Sequence, residues 1–126
     1  FDSSTANVVP ALFAALAHSA PLGMATTIER LAFPTEYHES LYVAYHGSWN
    51  TSNSGIRDCK VERILLDGDM PVGSEVFVTG WRAEGQTCGS AQTWGRPADV
   101  IVGADGALYI SDDKGERVYR VVYSGD

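Results

Sequence analysis

The strongest constraint on this chain is a pattern that occurs twice. Leu41-Tyr42-Val43 and Leu108-Tyr109-Ile110 are short aromatic and β-branched runs. Each follows a Pro-led segment, precedes a polar loop, and is followed by a strand that ends in apolar residues. Runs of this kind favour extended backbone, because bulky branched and aromatic side chains pack well on a pleated surface. Glycine and aspartate punctuate them at Asp67-Gly68-Asp69 and Asp105-Gly106, where tight reversals are expected. The chain therefore reads as antiparallel meanders in series. The first unit has strands at residues 22–27, 41–45, 59–66 and 75–79, with Cys59, Val61 and Ile64 on the inner face. The second has strands at 98–102, 107–111 and 117–123. Serial four-stranded meanders are the mark of propeller blades. On pattern alone, a single small β-sandwich fits equally well.

One stretch breaks the pattern. Residues 9–18 place Leu12, Phe13 and Leu16 at helical spacing, and Pro21 closes the segment, so a short helix is expected there. Pro10 interrupts the apolar run and no basic residues precede it, which does not fit a retained signal peptide. Residue 1 is Phe, so the chain reads as processed or as a piece of a longer protein.

Charge narrows the partners. The net charge is −7 and the isoelectric point is about 4.8, which argues against nucleic acid and against an anionic membrane. No apolar run is long enough to span a bilayer. The cysteines are Cys59 and Cys88. A single pair in an acidic, Gly- and Tyr-rich chain suggests one disulfide and secretion, the alternative being two buried thiols. Asn50-Thr51-Ser52 is a glycosylation sequon, which points the same way.

In a meander every second connection lies at the same end of the sheet. One end collects His18, the loop His46-Gly47-Ser48-Trp49-Asn50, the segment Trp94-Gly95-Arg96-Pro97 and the pair Asp112-Asp113. The other end collects generic turn residues, with His38 exposed and inert among them. Imidazole, indole, amide and guanidinium groups suit a flat anionic ligand or a sugar, and function tends to sit in loops on one end of a rigid scaffold. Ser48 has no His and Asp partners arranged around it, so no serine hydrolase is proposed.

Taken in order, five motifs resemble the C-terminal end of the glucose/sorbosone dehydrogenase family. They are His46-Gly47-Ser48-Trp49-Asn50, Phe77-Val78-Thr79-Gly80-Trp81, Gly95-Arg96-Pro97-Ala98-Asp99-Val100, Asp105-Gly106-Ala107-Leu108-Tyr109-Ile110-Ser111-Asp112-Asp113 and Val118-Tyr119-Arg120-Val121. The resemblance spans about residues 17–123 and includes soluble sugar dehydrogenases and fungal pyranose dehydrogenases that use pyrroloquinoline quinone (PQQ). It implies an all-β fold of about two four-stranded antiparallel blades of a six-bladed β-propeller, with residues 17–81 one blade, 94–126 most of a second, and 1–16 a leader or packing segment. It also implies oxidation of a sugar with hydride transfer to the quinone, assisted by Ca²⁺. His46, Trp49, Asn50 and Arg96 would contact the cofactor, Arg96 by pairing with a quinone carboxylate. His18 and Trp94 would contact the sugar, and Asp112 and Asp113 are the available hard oxygen ligands for calcium. The family's catalytic base lies upstream of everything here, so a chain of two blades would need the rest of the propeller from another chain or from further copies of itself. The Cys59/Cys88 pair and residues 85–92 depart from the family pattern. The alternative function is a lectin-like propeller module that binds glycans without a cofactor.

Overall fold

The computed structural model describes residues 10–27, 31–48 and 56–125. It is all-β, in two antiparallel sheets. Strands β1 (Pro21–Thr26), β2 (Ser40–Tyr45), β3 (Lys60–Asp67) and β4 (Met70–Val78) form the first, in that order. Strands β5 (Pro97–Val102), β6 (Leu108–Asp112) and β7 (Arg117–Val121) form the second. Each sheet is a simple meander, as expected of propeller blades, and the two do not close on each other. The expected strands shift by one or two residues, except β4, which starts five residues earlier than the expected start at Glu75. The reason is the hairpin. Asp67 pairs with Met70 across a two-residue loop. Gly68, at φ +59°, takes the corner that a mirror-image hairpin turn reserves for glycine. Pro71 is tolerated because β4 is an edge strand, and the ladder is irregular between Leu65 and Leu66 opposite it.

The helix expected at residues 9–18 is not formed. Among the described residues, the sole helical element is a 3₁₀ turn, Thr35–Tyr37. A helix of ten residues is marginal in water unless an apolar face is covered, and Pro10 withholds a backbone donor. Here Leu12 and Leu16 stay exposed while Phe13 packs beside Val43, Tyr45 and Ile64. The segment thus acts as an irregular strap over one face of the first sheet.

β2 is apolar on both faces because both are covered. Tyr42 and Ala44 point into the main core with Cys59 and Val61, where they meet Val100, Leu108 and Ile110 of the second sheet. Burial of each of the larger aliphatic side chains contributes about 1.5–3 kcal/mol. Val43 and Tyr45 point the other way, under the strap. Ile64 belongs to that second cluster, not to the inner face with Cys59 and Val61. Strict alternation along β3 requires it, since Ile64 is an odd number of residues from both. The inner-face position next to it belongs to Arg63, which is 6% exposed. Arg63 donates to Ser40 Oγ at 2.9 Å, to Glu75 Oε1 at 2.9 Å and to the Glu36 carbonyl, and it stacks over the Tyr37 ring. Phe33, Tyr37, Phe77 and Tyr123 fill the wedge between the outer parts of the sheets. Burial pushes the Tyr42 phenol up to about 12, and its hydroxyl donates to the Tyr37 carbonyl at 3.1 Å.

The sheets meet along β1, β2 and β5. Gly23 makes the β1–β5 approach possible, since a Cβ there would lie 2.5 Å from the Asp99 Cα. The site described next sits at one end of this line.

Candidate functional site

At the end of β2 the ladder continues beyond the strand. His46 N–H donates to the Ala20 carbonyl at 2.9 Å and Gly47 N–H to the Ser19 carbonyl at 3.0 Å. The His46 ring is thereby fixed over the end of the second sheet. Its Nε2 lies 2.8 Å from Asp113 Oδ1, across 67 residues of sequence. The His46 side chain is largely buried, whereas Asp113 is exposed. The hydrogen bond from His46 holds the Asp113 carboxyl below the usual carboxylate range, with Arg96 adding to the effect. An ionised Asp113 keeps the imidazole proton on Nε2 and leaves Nδ1 as an acceptor in the neutral ring.

Arg96 lies just before β5 and reaches back to the same loop. Its Nε donates to the His46 carbonyl at 2.8 Å and its Nη2 to the Gly47 carbonyl at 3.4 Å. Its own backbone N–H donates to Asp112 Oδ1 at 2.7 Å. The guanidinium is therefore oriented by backbone rather than by a carboxylate. Burial lowers its pKa, opposed by the nearby Asp113 charge, and an arginine in this setting remains a cation.

His46, Arg96 and Asp113 are thus brought together at one end of the two sheets. The other sequence candidates fare differently. Asp112, read above as a calcium ligand, is 2% exposed and engaged at both oxygens. Its oxygens accept from the backbone N–H of Arg96 and of Gly115, both at 2.7 Å, and from the Tyr119 hydroxyl at 3.0 Å. It clamps the end of the second sheet. Asp113 is engaged with His46, and among the described residues no group of three or more His, Cys, Asp and Glu is placed to hold a metal. Asp112 thus has three of its acceptor positions filled, so a hard cation here, which takes six or more oxygen ligands, would draw most of them from elsewhere. Trp94 is 63% exposed and tied by its backbone to Trp81. His18 is exposed and sits at φ +63° in a turn. His38, read as inert and exposed, is half-buried and bonded through Nε2 to the Phe33 carbonyl at 3.0 Å. Trp49 and Asn50, with the sequon, lie outside the described residues.

Cys59 and Cys88 form a disulfide with 5.4 Å between their Cα atoms. Both are fully buried, and the bridge lies beneath the His46–Arg96 contact. Sequence reasoning expected this bond but not its place against the site.

No family model matches the chain. A protein of Borreliella burgdorferi described only as uncharacterized is 32% identical over 117 residues, which is 91% of this chain and 29% of that protein. The holo form of the pyranose dehydrogenase PQQ domain from Coprinopsis cinerea superposes with a TM-score of 0.58 at 29% identity, over 80% of this chain and 26% of that one. This chain resembles part of the PQQ-dependent sugar dehydrogenase family. A glucose dehydrogenase shares the fold at a TM-score of 0.57 and 22% identity, over 84% of this chain and 24% of that one. The chain accordingly spans about a quarter to a third of the length of the proteins it matches. Among its described residues no helix is long and apolar enough to cross a membrane.

Proposed function

We propose that this chain forms part of a secreted, PQQ-dependent sugar dehydrogenase and supplies one wall of its cofactor site. The observation that carries this reading is Arg96. Its guanidinium is held by two carbonyls, half-buried, and set beside an imidazole. It lies in a segment whose resemblance to quinone-binding relatives rests on Gly95-Arg96-Pro97. A pre-oriented guanidinium suits a carboxylate on a planar ligand, because little side-chain freedom is left to lose on binding. The donor set fits the cofactor's carboxylates. When bound, PQQ supplies the hydride acceptor.

The chain's own residues would then do three things. Arg96 holds a cofactor carboxylate and fixes the ring plane. His46 keeps its Nε2 proton towards Asp113 and offers Nδ1 as an acceptor. Asp113 offsets the local positive charge, so that the site binds an anion without a large uncompensated cation. The proton-abstracting base is not assigned to any residue of this chain. No step here is routed through calcium. The faces of the two sheets turned away from the shared core would be covered by the remaining sheets of a propeller, from another chain or from further copies.

The test is a PQQ titration of the intact protein, followed by the absorbance of the bound quinone, with Arg96→Ala beside the wild type. Loss of a charge-assisted pair worth about 1.5–3 kcal/mol weakens binding by about 10- to 150-fold. Equal affinity in both proteins refutes the assignment of Arg96. Sugar binding with no quinone binding at all favours the lectin-like alternative.

A further inference from the structure

The disulfide touches the two backbone segments that define the position of Arg96. Cys88 Sγ lies 3.5 Å from the His46 carbonyl oxygen, the acceptor of Arg96 Nε. Cys59 Sγ lies 3.6 Å from the carbonyl oxygen of Gly95, the residue before Arg96. The Ser48 N–H donates to the Cys88 carbonyl at 3.0 Å, and the Cys88 N–H donates to the Arg57 carbonyl at 2.8 Å. Gly47 sits at φ +76° with no room for a side chain, since a Cβ there would be 2.5 Å from Cys88 Cβ and 2.9 Å from its sulfur. These contacts close a ring that runs from Arg96 to His46 and Gly47, through Cys88 and Cys59, and back to Gly95.

We propose that the Cys59–Cys88 bridge, with Gly47, is the positioning element of the Arg96 anion clamp. The bridge is more than a staple of the fold. Cys88 belongs to the long connection between β4 and β5, whose other ties near the bridge are the Ser48 and Arg57 backbone bonds to Cys88 itself, with the Arg82–Asp58 ion pair and the Lys114 bond to the Ser90 carbonyl further along. Without the covalent link this connection could move off Gly47, and the His46 and Gly47 carbonyls would lose the support that aims them at the guanidinium. Both sulfurs are fully buried, so the bond is a permanent brace and not a switch that solvent reductants reach. Cys59, Cys88 and Gly47 act through Arg96; they are positioning residues.

The proposal rests on the quinone reading for its ligand but not for its geometry, and the experiment separates the two. The intact protein is prepared as wild type, Cys59→Ala/Cys88→Ala, Gly47→Ala and Arg96→Ala. Each is measured well below its own unfolding midpoint by PQQ titration and by solvent exchange of the Arg96 Nε–H, followed by NMR. The double cysteine variant should lose about tenfold in PQQ affinity. Its Arg96 Nε–H should exchange at least about tenfold faster while the β2 and β6 amides stay protected, since a merely global loss of stability would move those amides too. Gly47→Ala, with the disulfide intact, should do the same, which keeps the test open if the double variant does not fold. Unchanged Arg96 exchange in both variants overturns the positioning role. If Arg96→Ala binds PQQ as well as the wild type, the quinone reading falls, and the exchange data still decide whether the bridge positions Arg96.

Discussion

Replacing Asp112 with alanine should unfold this protein far more readily than its place beside an exposed loop suggests. The side chain is 2% exposed and satisfies three donors: the Arg96 and Gly115 N–H groups and the Tyr119 hydroxyl. An orphaned buried donor costs about 1–3 kcal/mol. All three donor residues are partly exposed, so water can reach some of them and the bottom of that range, little more than about 1 kcal/mol each, applies. The total is then about 3–4 kcal/mol. Unfolding entropy near 2.1 cal/mol/K per residue gives about 0.26 kcal/mol/K for this chain, so Tm should drop by about 12–15 °C. Asp112→Asn keeps one carbonyl acceptor but turns an amide N–H₂ towards the remaining donors, and should lose about half as much. Tyr119→Phe removes one hydroxyl and should cost about 1 kcal/mol. Asp113→Ala is the control, because its exposed carboxylate makes solvent-screened contacts worth about 0–1 kcal/mol. The assay is urea unfolding with midpoint and slope fitted together, backed by thermal scans. If Asp112→Ala lies within about 1 kcal/mol of the wild type, or if Asp113→Ala costs as much, the clamp argument is wrong.

Three other outcomes follow from the same contacts. Asp105 is held down to about 2 by hydrogen bonds from Arg120 first, then from the Ala107 N–H and the Tyr109 hydroxyl. A folded pKa below the unfolded value of about 3.9 means that this contribution is present above pH 4 and is lost as pH falls towards 2. Asp105→Asn should therefore flatten the dependence of the urea midpoint on pH in that window, and an unchanged slope would contradict it. Arg63→Ala strips three hydrogen bonds and the Tyr37 ring of their partner and should cost about 3–5 kcal/mol by urea unfolding, whereas a loss under 1 kcal/mol would mean that water replaces the side chain. Gly23→Ala drives a methyl into Asp99 where β1 meets β5 and should cost about 1–3 kcal/mol, and a neutral result would show that the two sheets slide apart without penalty.

The fold was legible wherever side-chain alternation and turn chemistry agreed. β2 and β6 announce themselves through Tyr42-Val43 and Tyr109-Ile110, and the turns at Gly68 and Gly106 need the positive φ that glycine permits. Sorting loops by sheet end also placed His46, Arg96 and Asp113 together, because antiparallel topology leaves little choice once the strand count is right. What was not legible depends on partners far away in sequence. Pro71 and Gly73 dilute the pattern of β4, which is held instead by pairing with β3. Leu12, Phe13 and Leu16 have helical spacing, yet the uncovered face of Val43 and Ile64 takes Phe13 alone. Asp112 looks like a solvent-facing ligand in an Asp-Asp-Lys-Gly turn. Its real partners, Arg96 N–H and Tyr119, become neighbours only when the ends of β5 and β7 converge on it. No local signal marks Arg63 as a core residue, since alternation puts a charge where an apolar residue is expected.

The last question is what the outer faces are for, and one residue can answer it. Val118 is 69% exposed, in cross-strand register with Ser111, and the neighbouring row on the same face carries Ile101, Tyr109 and Arg120. On the far side of the first sheet, Leu22 and Met24 are also exposed. Propeller blades bury both faces, so an apolar residue on a blade face should not remain in water once its neighbours are present. As an isolated surface position, Val118→Lys would change stability by less than about 0.5 kcal/mol. Beneath another sheet it would place an unpaired ammonium in an apolar contact, and the cost would be several kcal/mol. Urea unfolding of the intact protein separates these by a wide margin. A large loss that is matched by Met24→Lys on the opposite face fits two sheets set within a larger ring. A neutral result for both refutes the covering sheets and leaves the two-sheet unit to stand without them.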